Sequence, residues 1–156
     1  MIRTIDTKHI DKAIELGYKV ALIDKNSKHK ERINGETILD FLELSPSILL
    51  EDKVKQLKNI NMWDEHTFKT EYAEQYLKEL IKKPHIGALN ELFARSRRGE
   101  KIALASEGNN ANMSHRSIIL GLLQAVGVET EGDNYSPYWL LYRIFEQEEK
   151  RKCQKN

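Results

Sequence analysis

The chain has 156 residues, of which 40% are hydrophobic and 31% are charged, and its formal net charge at pH 7 is +1. This size suits one globular domain with its own core, and the near-neutral charge excludes a general electrostatic attraction to nucleic acid. We find neither a signal-peptide core nor an apolar run of the ~20 residues that span a bilayer, so we expect a cytoplasmic protein without a membrane partner.

The first 24 residues predict a βαβ unit. Residues 2–5 have the composition of a strand, and residues 7–16 repeat apolar side chains at helical spacing up to Gly17, a typical helix stop. Residues 18–24 are apolar throughout their centre, which is typical of a strand buried on both faces. We therefore expect parallel strands joined by a right-handed crossover.

The next segment is polar and gives weaker structural signals. Residues 25–36 are basic and polar and predict a loop. Residues 36–44 predict a helix that Pro46 ends, whereas residues 47–50 fit either a short strand or the entry to a helix.

A clear helix start lies at Asp64, because aspartate suits the N-cap, and Trp63 and Phe68 have the spacing of a hydrophobic staple. Large apolar side chains then recur every four residues, at Phe68, Tyr72, Tyr76 and Leu80. Such a stripe fits a stacking platform for a ligand, but we interpret it as the face of a helix that packs on the sheet.

After Pro84 the pattern predicts a second helix that ends in three arginines, at positions 95, 97 and 98. These arginines fit a phosphate site, but they also suit a helix C-terminus, where cations are favoured. Residues 101–106 predict another buried strand, residues 114–126 an amphipathic helix, and Val128 the start of an edge strand.

Together with a final helix over residues 138–149, these elements predict the α/β class: a single three-layer domain with a mainly parallel central sheet flanked by helices, in a Rossmann-like arrangement. We expect this domain to span residues 1–150, and residues 151–156 to form a charged, disordered tail. The only cysteine, Cys153, lies in that tail, which excludes an internal disulfide and argues against a catalytic thiol.

Residues 101–126 have the organisation of a ligand site: a buried strand, a polar loop of small residues, and a helix start. In open α/β sheets, ligands bind beyond the carboxyl ends of the strands, and the first N–H groups of a helix attract anions. The residues that we expect to bind a ligand are Asp24, Gly108, Asn109, Ser114 and Arg116, and the candidate catalytic residues are Glu107 and His115.

Each candidate has more than one role open to it. Glu107 fits a general base, an acceptor for a sugar or base, or the partner of Arg116. His115 is the best general acid or base, because its ordinary pKa lies near neutrality. Ser114 fits an N-cap or a nucleophile, and Asp24 faces the same crevice if the two buried strands are neighbours. A cation at Arg116 opposes the helix dipole, which indicates that it serves a ligand.

The simpler interpretation of this segment is an ordinary strand–helix connection that contains a satisfied Glu–Arg pair. Three ionisable residues at one strand end exceed what such a connection needs. The other histidines are scattered and have no cysteine near them, so we predict neither a metal nor a cofactor.

Residues 102–119 resemble the DUF488 family of small α/β proteins. That family has a strand ending in Leu-Leu-Cys-x-Glu, a short loop, and Cys-His-Arg at the start of a helix. The corresponding stretches here are Leu104-Ala105-Ser106-Glu107 and Ser114-His115-Arg116, and residues 2–24 are also similar. Ala105 and Ser114 replace the two cysteines, and the family's Asp-x-Arg is lost after Asp24. The resemblance implies an enzyme-like pocket around Glu107, His115 and Arg116, without thiol chemistry.

Three functions remain open at this point, and the sequence decides neither catalysis nor oligomeric state. The first is a pocket for an anionic small molecule, phosphorylated or nucleotide-like, with hydrolysis, group transfer or binding alone as its activity. The second is nucleic-acid binding through the basic residues 25–32 and 95–98. The third is a non-catalytic interaction protein of a bacterium or phage that inhibits a host factor, since Lys-, Asn- and Ile-rich sequences are typical of such low-GC sources.

Overall fold

One parallel sheet organises the computed structural model, which describes residues 1–108, 113–132, 146 and 149–153. Its strands pair in the order β3-β2-β4-β1-β5, and every pair is parallel. The strands are β1 (Ile2–Asp6), β2 (Lys19–Leu22), β3 (Ile38–Asp40), β4 (Ile102–Ser106) and β5 (Thr130–Glu131). The α/β prediction with a parallel central sheet is therefore confirmed.

Helices cover both faces of this sheet and complete three layers. They are α1 (Ile10–Glu15), α2 (Ile48–Asn59), α3 (Glu65–Thr67), α4 (Glu74–Leu80), α5 (His85–Arg97) and α6 (His115–Ala125). A π turn, Phe68–Ala73, joins α3 to α4. The α1 helix packs on one face, in a core with Ile5 and Val20, and the larger core on the other face holds side chains of α2 and α4–α6.

The central strand β4 shows why continuous apolar runs mark strands here. Ile102 and Leu104 belong to the larger core, whereas Ala103 and Ala105 belong to the core against α1. All four side chains are fully buried, because alternate residues point to opposite, covered faces of the sheet. The same argument holds for β2, which pairs with β4 on one side and β3 on the other.

The prediction of a helix over residues 36–44 is wrong. Ile38–Asp40 is instead the edge strand β3, and Leu42–Leu44 forms a single 3₁₀ turn. The side-chain oxygen of Asn34 accepts hydrogen bonds from the N–H groups of residues 36, 37 and 38, which fixes a turn before the strand. With three residues, β3 is too short to show the alternation of side chains that identifies a strand. Together with the apolar residues that follow it, it therefore gives an apparent helical spacing.

The ambiguity at residues 47–50 is resolved as a helix entry. Ser47 is the N-cap of α2, and its Oγ accepts a hydrogen bond of 3.2 Å from the N–H of Leu50. The Ser47 N–H and hydroxyl donate in turn to the Glu79 carboxylate, at 2.8 and 2.6 Å. These bonds tie the start of α2 to α4.

The helix start at Asp64 is confirmed, because its Oδ1 accepts a 2.7 Å hydrogen bond from the N–H of Thr67. The rings of Trp63 and Phe68 meet edge to face with their centroids 5.8 Å apart, as the staple predicts. The four-residue stripe is buried in the larger core, which confirms its interpretation as a packing face. Its members are Phe68, Tyr72, Tyr76 and Leu80.

The end of the chain is described in part. The edge strand expected from Val128 begins two residues later, at Thr130, and pairs with β1. The helix expected at residues 138–149 lies almost wholly outside the described residues, and the division between residues 1–150 and 151–156 stays a prediction. Within the described ranges, no helix has the length and apolar character needed to cross a membrane.

Candidate functional site

The carboxyl ends of β2 and β4 open into one cavity of about 640 Å³, which we call the central cleft. The two strands are neighbours, with Leu22 opposite Ala105, so the residues that follow them meet at one edge of the sheet. Five of the predicted site residues line this cleft: Asp24, Glu107, Gly108, Ser114 and His115. Asn109 lies outside the described residues.

The opposite wall of the central cleft comes from residues that the sequence did not single out as a site. Glu51, Lys55 and Lys58 lie on α2 at spacings of four and three residues, which places them on one face of the helix. Trp63 and Tyr72 add aromatic surface, with ring centroids 5.7 Å apart. The Lys58 ammonium lies 5.9 Å from the centre of the Trp63 ring, so an aromatic surface and a cation adjoin each other.

Glu51 of the α2 wall and Asp24 at the end of β2 form an acidic pole where the two walls of the central cleft meet. The Asn26 amide donates to Glu51 at 3.1 Å, and the Asn26 backbone N–H donates to Asp24 at 3.0 Å, so one residue links the two carboxylates. Burial, and then the negative charge of Asp24, raise the pKa of Glu51 above its ordinary value. In the described part of the chain, no group of three or more His, Cys, Asp or Glu side chains is arranged to hold a metal ion.

His115 is a buried titratable group of the central cleft, with 6% of its surface exposed. Its Nε2 donates to the Ile23 carbonyl at 2.9 Å, because a carbonyl can only accept, and its ring meets Tyr76 edge to face. Burial lowers the pKa of His115, and this effect outweighs the opposing influence of the Ile23 carbonyl and Asp24. The ring is therefore neutral at pH 7, with Nδ1 as its basic nitrogen.

This lowered pKa predicts a pH-dependent stability. Below the ordinary pKa of 6.5 the unfolded chain protonates this histidine before the folded chain does, so acid favours unfolding. We expect His115→Gln, which keeps a donor for Ile23, to remove part of the stability loss that urea unfolding shows between about pH 7.5 and about pH 5.5. The control, Leu49→Gln at an exposed and uncharged side chain, should keep the wild-type slope. An unchanged slope in His115→Gln would contradict the prediction.

Ser114 is the N-cap of α6, one of the two roles left open by the sequence. Its Oγ accepts from the N–H of Arg116 at 3.4 Å and lies 3.2 Å from the Ser106 hydroxyl. The Nε2 of His115 is bonded to the Ile23 carbonyl, so it makes no hydrogen bond with the Ser114 hydroxyl. The geometry is that of a structural cap.

Arg116 does not line the central cleft. It is 2% exposed, and its Nη1 donates to the carbonyl and hydroxyl of Ser106, at 2.6 and 2.9 Å. Its Nη2 donates to the Gly108 carbonyl at 2.7 Å. The guanidinium thus holds the carbonyls on both sides of Glu107, and among the described residues its hydrogen-bond acceptors do not include the Glu107 carboxylate. Gly108 has a φ of +116°, a conformation that side chains other than hydrogen disfavour.

Fold and site together define a class: a parallel α/β domain with a polar cleft at the carboxyl ends of its strands, built on a strand–loop–helix that carries Glu107, His115 and Arg116. Residues 13–127 match a family model described as "DUF488-N3a: Active DUF488-N3 subclade". Because this match covers more than half of the chain, the protein belongs to the DUF488 family, as residues 102–119 indicated. No curated protein and no solved structure matches the chain.

Proposed function

We propose that this protein binds a phosphorylated or nucleotide-like small molecule in the central cleft. The observation that carries the proposal is that the cleft combines an acidic pole, where Glu51 of α2 meets Asp24, with lysines of the same helix that adjoin the indole of Trp63. The cavity of about 640 Å³ has the size of a typical small-molecule site.

Each part of such a ligand has a complementary surface. The ring of Trp63 suits stacking against a planar base, and the ammonium groups of Lys55 and Lys58 suit a phosphate. Asp24 and Glu107 are acceptors for the hydroxyl groups of a sugar or the amino group of a base. A neutral sugar would leave the two lysines without an anionic partner.

The reaction that we propose for this cleft is hydrolysis or group transfer. The basic Nδ1 of His115 takes the proton of the attacking water or hydroxyl as its oxygen bonds to the electrophilic centre of the ligand. The leaving group departs with the electron pair of the broken bond. Ala105 and Ser114 occupy the family's cysteine positions, so the proposed reaction proceeds without a thiol. A match to a subclade described as active agrees with catalysis.

Calorimetric titration with AMP and with adenosine tests the proposal. We expect AMP to bind to the wild type. Lys58→Gln should weaken AMP binding by about tenfold with little effect on adenosine binding, and Glu107→Gln should weaken the binding of both ligands. Both side chains are exposed, so the variants should fold. Lys82→Gln, an exposed lysine outside the cleft, is the matched control. The absence of binding by either ligand, or AMP binding that Lys58→Gln and Glu107→Gln leave unchanged, would reject the proposal.

The two basic clusters considered for nucleic-acid binding lie at different edges of the sheet. Arg95 pairs with Glu100 at 3.0 Å, and Glu100 also binds Lys19 at the start of β2, so residues 95–98 lie at the amino edge. Residues 25–32 follow the other end of β2. This separation gives no support to one continuous basic surface.

A further inference from the structure

A second cavity, of about 530 Å³, lies on the α1 side of the sheet, and we call it the basic cleft. Residues of β1 and of the segment through α1 form most of its walls, and Arg116 and Gly108 also line it. Gly108 is the one described residue that lines both this cleft and the central cleft. The loop that Arg116 holds therefore separates two cavities.

The lining of the basic cleft carries an excess of positive charge. Four of its side chains are cationic at pH 7, and one is anionic; the cations are Arg3, Lys8, Lys12 and Arg116. The single acid, Asp6, already accepts a 3.1 Å hydrogen bond from the backbone N–H of Lys8 as an N-cap. The field inside the cavity is therefore positive, and it is concentrated by the low-dielectric walls of the cleft.

Neither arginine of this cleft makes an ion pair with a carboxylate among the described residues. Burial lowers the pKa of Arg116, and the negative charge of Asp6 opposes this effect only in part. The acceptors of Arg116 are two carbonyls and one hydroxyl, all of them neutral. Arg3 lies over the ring of Tyr18, with its guanidinium carbon 5.5 Å from the ring centre.

Both side chains also have a buried Nε without a hydrogen-bond acceptor. The described residues contain three buried, unpartnered side-chain nitrogen or oxygen atoms, and two of them belong to these arginines. The buried charge of Arg116 is costly unless an opposite charge compensates it, and Asp6 does so only in part, so an anion in this cleft would complete the compensation. The Nε of Arg3 adds a second donor without an acceptor.

We propose that the basic cleft is a separate binding site for a phosphate group, carried by a small phosphate monoester or by free phosphate. A dianion matches the surplus of cations better than a single carboxylate does, and guanidinium and ammonium groups are the usual donors to phosphate oxygens. A cavity of about 530 Å³ has room for a small molecule. This site is independent of the ligand proposed for the central cleft.

Calorimetric titration with inorganic phosphate, at constant ionic strength, tests the site. We expect Lys12→Gln and Arg3→Gln each to weaken phosphate binding by about tenfold. Lys12 is exposed on α1, so its replacement should leave the fold intact. The Lys12→Gln variant therefore still tests the site if Arg3→Gln is unstable. Lys82→Gln, outside both clefts, should change phosphate binding by less than about twofold.

Ribose 5-phosphate in the same titration distinguishes the two sources of the phosphate group. Tighter binding than inorganic phosphate identifies a monoester, and equal binding identifies the free ion; Lys12→Gln should weaken either one. Phosphate binding that Lys58→Gln abolishes and Lys12→Gln leaves unchanged would place the anion in the central cleft and overturn this proposal. No measurable binding by wild type at about 10 mM would also overturn it.

Discussion

Replacing Phe68 with alanine should lower the free energy of unfolding by about 3–5 kcal/mol, measured by urea unfolding. The ring is fully buried and stacks on Tyr72 with a centroid separation of 5.1 Å, while the edge of Trp63 packs against it. Its removal leaves a cavity inside the larger core, and the π turn that begins at this residue loses its anchor. Domains of this size have about 5–15 kcal/mol of stability in total, so the loss is a large fraction.

Leu49→Ala is the matched control, because that side chain is 83% exposed and should change stability by less than about 0.5 kcal/mol. The Phe68→Ala variant should also bind AMP more weakly, because Trp63 loses the ring that holds it at the wall of the central cleft. A loss of stability below about 1 kcal/mol for Phe68→Ala would contradict the close packing of this ring in the larger core.

The buried strands and the helices next to them could be predicted because their patterns have a direct physical cause. A strand covered on both faces must be apolar at successive positions, as Ile102–Ala105 are, and few other structures require this. The caps at Asp64 and Ser114 could be found for a similar reason, since each side chain satisfies a backbone N–H that the helix leaves free. Local rules therefore located most of the sheet.

The edge strand β3 and the helix α2 were harder for physical reasons. β3 has three residues, fewer than a period of alternation needs in order to show. On α2, Leu50 is the one residue classed as buried, while Ile48 and Leu49 in its first turn are 77% and 83% exposed. Its hydrophobic pattern is weak because the helix touches the core at few points, so the cleft wall that it carries could not be assigned.

The candidate site was located by the rule that ligands bind beyond strand ends, and the structure places five of the predicted residues there. The rule does not decide which way each side chain faces. His115 and Arg116 are consecutive on α6, and neighbours in a helix do not share a face. One of them lines the central cleft and the other lines the basic cleft. Because they are adjacent in sequence, His115 and Arg116 were assigned to one pocket, but α6 directs their side chains to different clefts.

The largest effect that we expect at the site itself comes from Arg116→Met. Three hydrogen bonds from a charged, buried donor are lost, and the carbonyls of Ser106 and Gly108 lose a partner. The neutral methionine removes the cost of burying a charge, which offsets part of this loss. We therefore expect the free energy of unfolding to fall by about 2–4 kcal/mol in urea titrations. Arg116→Lys should recover only part of this loss, because one ammonium cannot reproduce a planar fork that reaches both carbonyls.

Arg97→Met is the matched control: that side chain is exposed and lies over the ring of Phe93, so its removal should cost less than about 1 kcal/mol. Hydrogen exchange separates the local role of Arg116 from general destabilisation. The amides of Ala105 and Ser106, in the sheet beside the carbonyl that Arg116 holds, should exchange faster in Arg116→Met than in Phe68→Ala, even though Phe68→Ala is expected to be no more stable overall. Equal protection of these two amides in both variants would mean that Arg116 stabilises the domain without holding the loop that carries Glu107 between the two clefts.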